Sequence, residues 1–134
     1  MGGHGALCIA LRNPQQYCSV SAFAPIVAPT QCPWGEKALG LYLGPDRQQW
    51  QQYDSCQLIA AGAEQLPMLI DQGEADDFLL DQLKTDLLET CCEENNYRAT
   101  IRRQAGYDHS YFFIASFIES HLAFHARELA AAAK

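Results

Sequence analysis

Residues 67–77 read Pro-Met-Leu-Ile-Asp-Gln-Gly-Glu-Ala-Asp-Asp, a strand followed by an acidic loop, and this stretch decides the fold. The run 67–71 is short and almost wholly apolar, which is typical of a parallel strand buried on both faces. The polar run 72–77 leaves that strand at its carboxyl end. Open α/β sheets bind ligands at the carboxyl ends of their strands, so we expect functional side chains in this loop.

Helical and strand-like segments alternate on both sides of this stretch. The apolar spacing and the Pro and Gly positions predict this order: helix 2–12, strand 17–23, an irregular stretch 24–44, helix 46–61, strand 67–71, helix 78–95, strand 99–103 and helix 111–129. The order predicts an α/β fold with about three parallel strands and helical crossovers. Three parallel strands make a poor unit by themselves, so residues 1–134 are expected to be the C-terminal part of a single larger domain.

The composition limits the classes of partner that the chain could bind. The chain has 134 residues and a formal net charge of −7, which would repel nucleic acid and an anionic membrane surface. It has no apolar run long enough to span a membrane, and its N-terminus lacks the pattern of a signal peptide. Six cysteines are present without a Cys-x-x-Cys pair. We therefore expect free thiols in a reducing cytoplasm, with neither disulfides nor a zinc site.

Two polar loops follow predicted strands, the acidic loop 72–77 and the histidine loop 106–110. Their order matches the Ser…Asp…His order of α/β-hydrolases, in which a carboxylate orients the histidine that acts as the general base. His109 is the candidate base, and from chemistry alone Asp76 and Asp77 are both candidate acids. Asp71, at the strand end, is interpreted as structural.

The opening Met-Gly-Gly-His-Gly-Ala fits the second half of a nucleophile elbow, Gly-x-Ser-x-Gly. With Met1 as the second x, Gly2 is the final glycine, and the Gly-x-Ser is expected immediately upstream of Met1. In this interpretation the Met1 backbone N–H is one donor of the oxyanion hole.

Several uncommon strings occur along the chain: Met1-Gly-Gly-His-Gly-Ala6, Ser19-Val-Ser-Ala-Phe-Ala-Pro-Ile26, Cys32-Pro-Trp-Gly35, Tyr42-Leu-Gly44, Tyr53-Asp54, Leu69-Ile-Asp-Gln-Gly73, Gly106-Tyr-Asp-His-Ser-Tyr111 and Phe113-Ile-Ala-Ser-Phe-Ile118. Through them the chain resembles, from end to end, the C-terminal half of the S-formylglutathione hydrolase (esterase D) family. The resemblance implies an α/β-hydrolase fold. It also implies a cytoplasmic serine hydrolase that converts S-formylglutathione to glutathione and formate, and cleaves small acyl esters, without metal or organic cofactor.

The same resemblance implies residue roles. The register of the family places the triad acid at Asp76 and the base at His109, with the serine just upstream of Met1. We therefore expect the 134 residues alone to be inactive. The family's tendency toward dimers makes a homodimer a candidate assembly for the complete protein. Two rival hypotheses are a non-enzymatic truncated remnant and a carboxylesterase on the same fold.

Each remaining candidate residue has a structural interpretation as well as a functional one. Trp34 and Tyr107 are candidate pocket residues that could equally belong to the core. His121 and His125 have the spacing of two metal ligands on a helix, but the segment lacks the glutamate of a His-Glu-x-x-His motif. A solvated helix face is therefore predicted for both histidines.

Overall fold

The computed structural model describes residues 1–134, with three parallel strands and six α-helices. The strands lie side by side in the order β1 (Val20–Phe23), β2 (Met68–Gly73) and β3 (Thr100–Gln104). The predicted α/β class and its three parallel strands are confirmed. The helices are α1 (Gly2–Arg12), α2 (Pro33–Leu43), α3 (Arg47–Trp50), α4 (Ser55–Ala60), α5 (Thr85–Glu94) and α6 (Tyr111–Ala132).

Strand β2 is the centre of the sheet, and all six of its residues are buried. Side chains alternate between the two faces of a strand, so its neighbours on either face come from different helices. Met68 and Ile70 belong to the larger apolar core, with Leu7 of α1 and Leu88 of α5. Asp71 points to the opposite face, where α6 lies. The sheet is therefore covered on both faces, as parallel strands require.

The irregular stretch predicted for residues 24–44 is wrong in its second half, because α2 begins at Pro33. Proline is tolerated at the first position of a helix, where its missing N–H would have had no partner. Cys32 precedes it as the N-cap, and its Sγ accepts a hydrogen bond from the Gly35 N–H at 3.4 Å. Pro33 was one of the prolines that indicated a loop, yet it is the residue at which this helix begins.

The single helix predicted over residues 46–61 is also wrong, because the segment breaks in its middle. Asp46 caps α3, with its Oδ1 accepting from the Gln48 N–H at 3.0 Å. Asp54 has extended backbone angles and caps a second helix, α4, by accepting from the Gln57 N–H at 3.0 Å. Likewise, the helix predicted over 78–95 divides at Lys84, whose φ of 52° separates a π-helical turn from α5.

The solvated face predicted for His121 and His125 is wrong. His121 is only 2% exposed, and its Nε2 lies 2.8 Å from the Asp71 carboxylate. Its Nδ1 lies 2.8 Å from Ser21 Oγ, which is also 2.8 Å from His125 Nε2. The i, i+4 spacing thus places both rings against the sheet, where polar side chains of the strands, rather than water, satisfy them. None of the helices is both long enough and apolar enough to cross a membrane.

Candidate active site

Backbone contacts tie the loop after β2 to the loop after β3. The Glu74 N–H donates to the Gln104 carbonyl, and the Ala75 N–H donates to the Tyr107 carbonyl, each at 3.0 Å. Gly73 makes this approach feasible, because a Cβ at that position would lie 2.2 Å from the Tyr107 carbonyl oxygen. The acidic loop and the histidine loop are thus held side by side.

Within this pair of loops, Asp76 and His109 meet. His109 Nδ1 lies 2.7 Å from Asp76 Oδ2, and the carboxylate is buried while the side chain of His109 is 45% exposed. A carboxylate can only accept, so Nδ1 carries the proton and Nε2 remains available outside the pair. Asp77 is exposed and makes no side-chain hydrogen bond. The structure brings Asp76, not Asp77, to the histidine; their catalytic roles stay predictions.

Two further donors hold the Asp76 carboxylate, and the sequence alone indicated neither. The Phe78 N–H donates to Oδ1 at 2.9 Å, and Gln72 Nε2 donates to Oδ2 at 3.2 Å. A carboxylate bound through both oxygens has little freedom to rotate. Gln72 was missed because the predicted strand ended at residue 71, whereas β2 runs to Gly73 and buries Gln72, where a polar side chain needs a partner.

His109 opens onto two cavities. One, of about 310 Å³, is mostly apolar and includes Phe23 and Phe113 in its lining. The other, of about 510 Å³, is lined by His109 together with Met1 and Trp34. Met1 and the candidate base therefore line the same space.

Trp34 reaches this space through an aromatic contact that the sequence did not predict. Its ring lies 4.7 Å from that of Phe78, and the Phe78 ring lies edge-on to the His109 imidazole at 5.4 Å. Tyr107 lies elsewhere: its ring packs against Phe117 at 4.9 Å and lines neither cavity. Trp34 is thus placed beside the candidate base, whereas Tyr107 is placed in an aromatic cluster of α6.

No hydroxyl or thiol of the chain hydrogen-bonds to His109; its side-chain hydrogen bond is the one to Asp76. All six cysteines are free thiols in the structure. Burial raises the pKa of Cys8 and of Cys92 to about 11, and burial also raises the pKa of Cys56 and Cys32. Such thiols are poor nucleophiles near neutral pH, because the thiolate is the reactive form.

A second carboxylate, Asp71, lies behind the site and is fully buried. Burial by itself raises the pKa of Asp71, but hydrogen bonds from His121, Arg102 and Gln104 outweigh it and lower the pKa to about 2. Burial, together with the neighbouring His121, lowers the pKa of His125. Because Asp71 is fully engaged by these donors, its arrangement is structural, as the sequence predicted.

The chain is similar to several proteins of known structure. The S-formylglutathione hydrolase from Agrobacterium tumefaciens is 49% identical and superposes with a TM-score of 0.92, over 96% of this chain and 46% of that chain. Esterase B from Lactobacillus rhamnosis is 18% identical with a TM-score of 0.73, over 97% of this chain and 50% of that chain. An S-formylglutathione hydrolase from Staphylococcus aureus is 17% identical with a TM-score of 0.70, over 93% of this chain and 51% of that chain.

The chain thus spans about half the length of these solved structures. The two distant ones show the fold alone, and the predicted α/β-hydrolase fold is confirmed. The predicted resemblance to S-formylglutathione hydrolases is confirmed by the A. tumefaciens protein. Residues 1–124 match the esterase family model, and the chain therefore belongs to the esterase family.

Proposed function

We propose that this chain supplies the acid and the base of a serine hydrolase that acts on S-formylglutathione. The observation that carries the proposal is the hydrogen bond between Asp76 and His109 across the ends of two adjacent parallel strands. Its support is the 49% identity to an S-formylglutathione hydrolase over nearly the whole chain. The six free thiols support a reducing compartment such as the cytoplasm.

In the proposed reaction, Nε2 of His109 takes the proton of a serine hydroxyl as that oxygen bonds to the thioester carbonyl carbon. The carbon–sulfur bond then breaks, and the sulfur leaves as glutathione with the proton returned by His109. Water next attacks the formyl ester through the same base, which releases formate and restores the hydroxyl. Asp76 keeps Nδ1 protonated and stabilises the ring while it is positively charged.

The serine is proposed to lie in the portion of the domain that these residues do not cover. Two observations support this: no hydroxyl of the chain bonds to His109, and the chain covers 46% of the A. tumefaciens enzyme. The Met1 backbone N–H is proposed as an oxyanion donor, because Met1 and His109 line one cavity. The 134 residues alone are therefore expected to be inactive.

A fusion tests this division of roles. The N-terminal half of the A. tumefaciens hydrolase, ending at its nucleophilic serine, is joined to Met1 of this chain, and hydrolysis of S-formylglutathione is measured. The fusion is expected to be active and the chain alone inactive. His109→Ala and Asp76→Ala in the fusion should each lower kcat by about a thousandfold or more, whereas Asp77→Ala should not. Activity of the chain alone that His109→Ala abolishes would contradict the proposal.

A carboxylesterase is a second candidate, because the apolar cavity next to His109 is larger than a formyl group needs. Phe23, Phe113 and Ile114 contribute to its lining and would suit a longer acyl chain. The two candidates differ in their kinetics on the same fusion. A higher kcat/KM for oxygen esters of longer acids than for S-formylglutathione would favour the carboxylesterase.

A further inference from the structure

The side chain of Gln72 is fully buried behind the candidate acid, and its two polar ends have different partners. Its Nε2 donates to the Gly73 carbonyl at 3.1 Å and to Asp76 Oδ2 at 3.2 Å. Its Oε1 accepts a hydrogen bond from the Thr85 hydroxyl at 3.1 Å. Every donor and acceptor of this amide that faces the protein interior is therefore used.

Asp76 and the Gly73 carbonyl decide which end of the Gln72 amide faces them, and Thr85 binds the other end. An amide can turn by 180° and exchange its oxygen with its nitrogen at little cost in shape. Thr85 is fully buried at the start of α5, and its hydroxyl donates to Oε1 of Gln72. The reversed amide would set Oε1 against Asp76 Oδ2, two acceptors with no proton between them. The acceptor-only carboxylate thus fixes the orientation of the amide, and the Thr85 hydroxyl, which can donate or accept, anchors its opposite end by donating to Oε1.

Gln72 Nε2 and the candidate base hydrogen-bond to the same oxygen of Asp76. Asp76 Oδ2 accepts from both Gln72 Nε2 and His109 Nδ1, while Oδ1 accepts from the Phe78 N–H. We propose that Gln72, anchored at its other end by Thr85, is a positioning residue that aims the Asp76 carboxylate at His109. The effect of Gln72 on rate rests on the function proposed above, whereas its effect on the His109 ring does not.

Removing the Gln72 amide has two physical consequences. The carboxylate of Asp76 keeps one fixed oxygen instead of two, so it can turn away from His109. Its Oδ2 also loses a donor that stabilised its charge, which changes how strongly it interacts with a positively charged His109 ring. The first consequence slows proton transfer, and both alter the stabilisation that Asp76 gives to the charged ring.

The His109 ring can be observed in the chain itself, which has four histidines. In NMR spectra with ¹⁵N-labelled histidine, Gln72→Met and Thr85→Val are expected to shift or broaden the His109 Nδ1–H signal. Thr85→Ser, which keeps the hydroxyl, should restore it. The ring N–H of His121, bound to Asp71, is the internal reference for folding.

Thr30→Val is the matched control, because the Thr30 hydroxyl donates to a different carboxylate, Asp54, at 2.7 Å. It should leave the His109 signal unchanged. If Gln72→Met loses the His121 signal, that variant does not fold. In that case Thr85→Val, which is nearly isosteric, is the variant that tests the proposal. A His109 signal identical to wild type in the folded variants overturns the proposal.

The pH–rate profile of the fusion gives the second readout. Gln72→Met is expected to lower kcat about tenfold, to leave KM within about twofold, and to move the acidic limb of the profile. A purely structural role would reduce the amount of active protein without moving that limb, so an unmoved limb contradicts the proposal. If the fusion is inactive, the proposed function fails, and the NMR spectra still decide the role of Gln72.

Discussion

Replacing Asp71 by alanine tests whether its carboxylate fastens α6 to the sheet. Asp71 accepts hydrogen bonds from His121 Nε2 and Arg102 Nε, each at 2.8 Å, and from Gln104 Nε2 at 2.9 Å. The side chain of His121 is 2% exposed and that of Arg102 is 35% exposed. Water can therefore replace the carboxylate at Arg102, but it cannot reach His121.

Two lines of reasoning give the magnitude. The hydrogen bonds that lower the pKa of Asp71 from 3.8 to about 2, against the opposing effect of burial, correspond to about 2 kcal/mol of folding free energy. Removing one member of a buried pair costs about 3–5 kcal/mol, because the other member is left unpaired. Since solvent reaches Arg102, we expect the lower end, a loss of about 3 kcal/mol in Asp71→Ala.

Urea unfolding followed by tryptophan fluorescence measures this loss at neutral pH and under acid conditions. Because the pKa of Asp71 is lowered in the folded state, its contribution is present above pH 3.8 and disappears as the pH falls to about 2. The difference between wild type and variant should shrink over that interval. The exposed Asp77 is the control, and Asp77→Ala should change stability by less than about 0.5 kcal/mol. A loss below about 1 kcal/mol at neutral pH, or one that does not change with pH, would refute the reasoning.

Three further predictions concern two glycines and one cysteine. Gly73→Ala should destabilise the chain by about 1–3 kcal/mol in urea unfolding, because its Cβ would meet the Tyr107 carbonyl oxygen at 2.2 Å. Gly5→Ala should instead stabilise it by up to about 1 kcal/mol, because a Cβ there meets nothing and alanine favours α1. Cys8 should react with a thiol reagent only after denaturation, since its raised pKa of about 11 leaves about one thousandth as thiolate at pH 8; half-exposed Cys18 should react first.

The strands and their order along the chain were predictable because they depend on short-range patterns. The apolar run before Asp71 indicated a buried central strand, and β2 lies there. The helix breaks were not predictable from periodicity, because they depend on caps within a continuous helical pattern. Asp54 caps α4 while its Oδ2 accepts from Thr30, so a residue 24 positions away helps to end the preceding turn. Such a contact exists only once the chain has folded.

The prediction of a solvated face for the histidines of α6 was wrong for a related reason. Spacing on a helix fixes which side chains share a face, but not what that face contacts. The sequence could not show that Ser21 on β1 would stand opposite both His121 and His125. The His109 pairing was easier to predict, because its partner lies in the loop after the adjacent parallel strand, and such loops meet at one edge of a sheet.

Asp71 and Asp76 show that burial and a histidine partner do not by themselves identify a triad acid. Both are buried carboxylates within five positions of each other, and both accept a hydrogen bond from a histidine. They differ in the other ring nitrogen of that histidine: His121 Nδ1 is occupied by Ser21, whereas no group of the chain bonds to His109 Nε2. A base needs a free nitrogen as well as an oriented one. By that criterion we expect the Asp71–His121 pair to hold the fold, and the Asp76–His109 pair to transfer the proton in the proposed reaction.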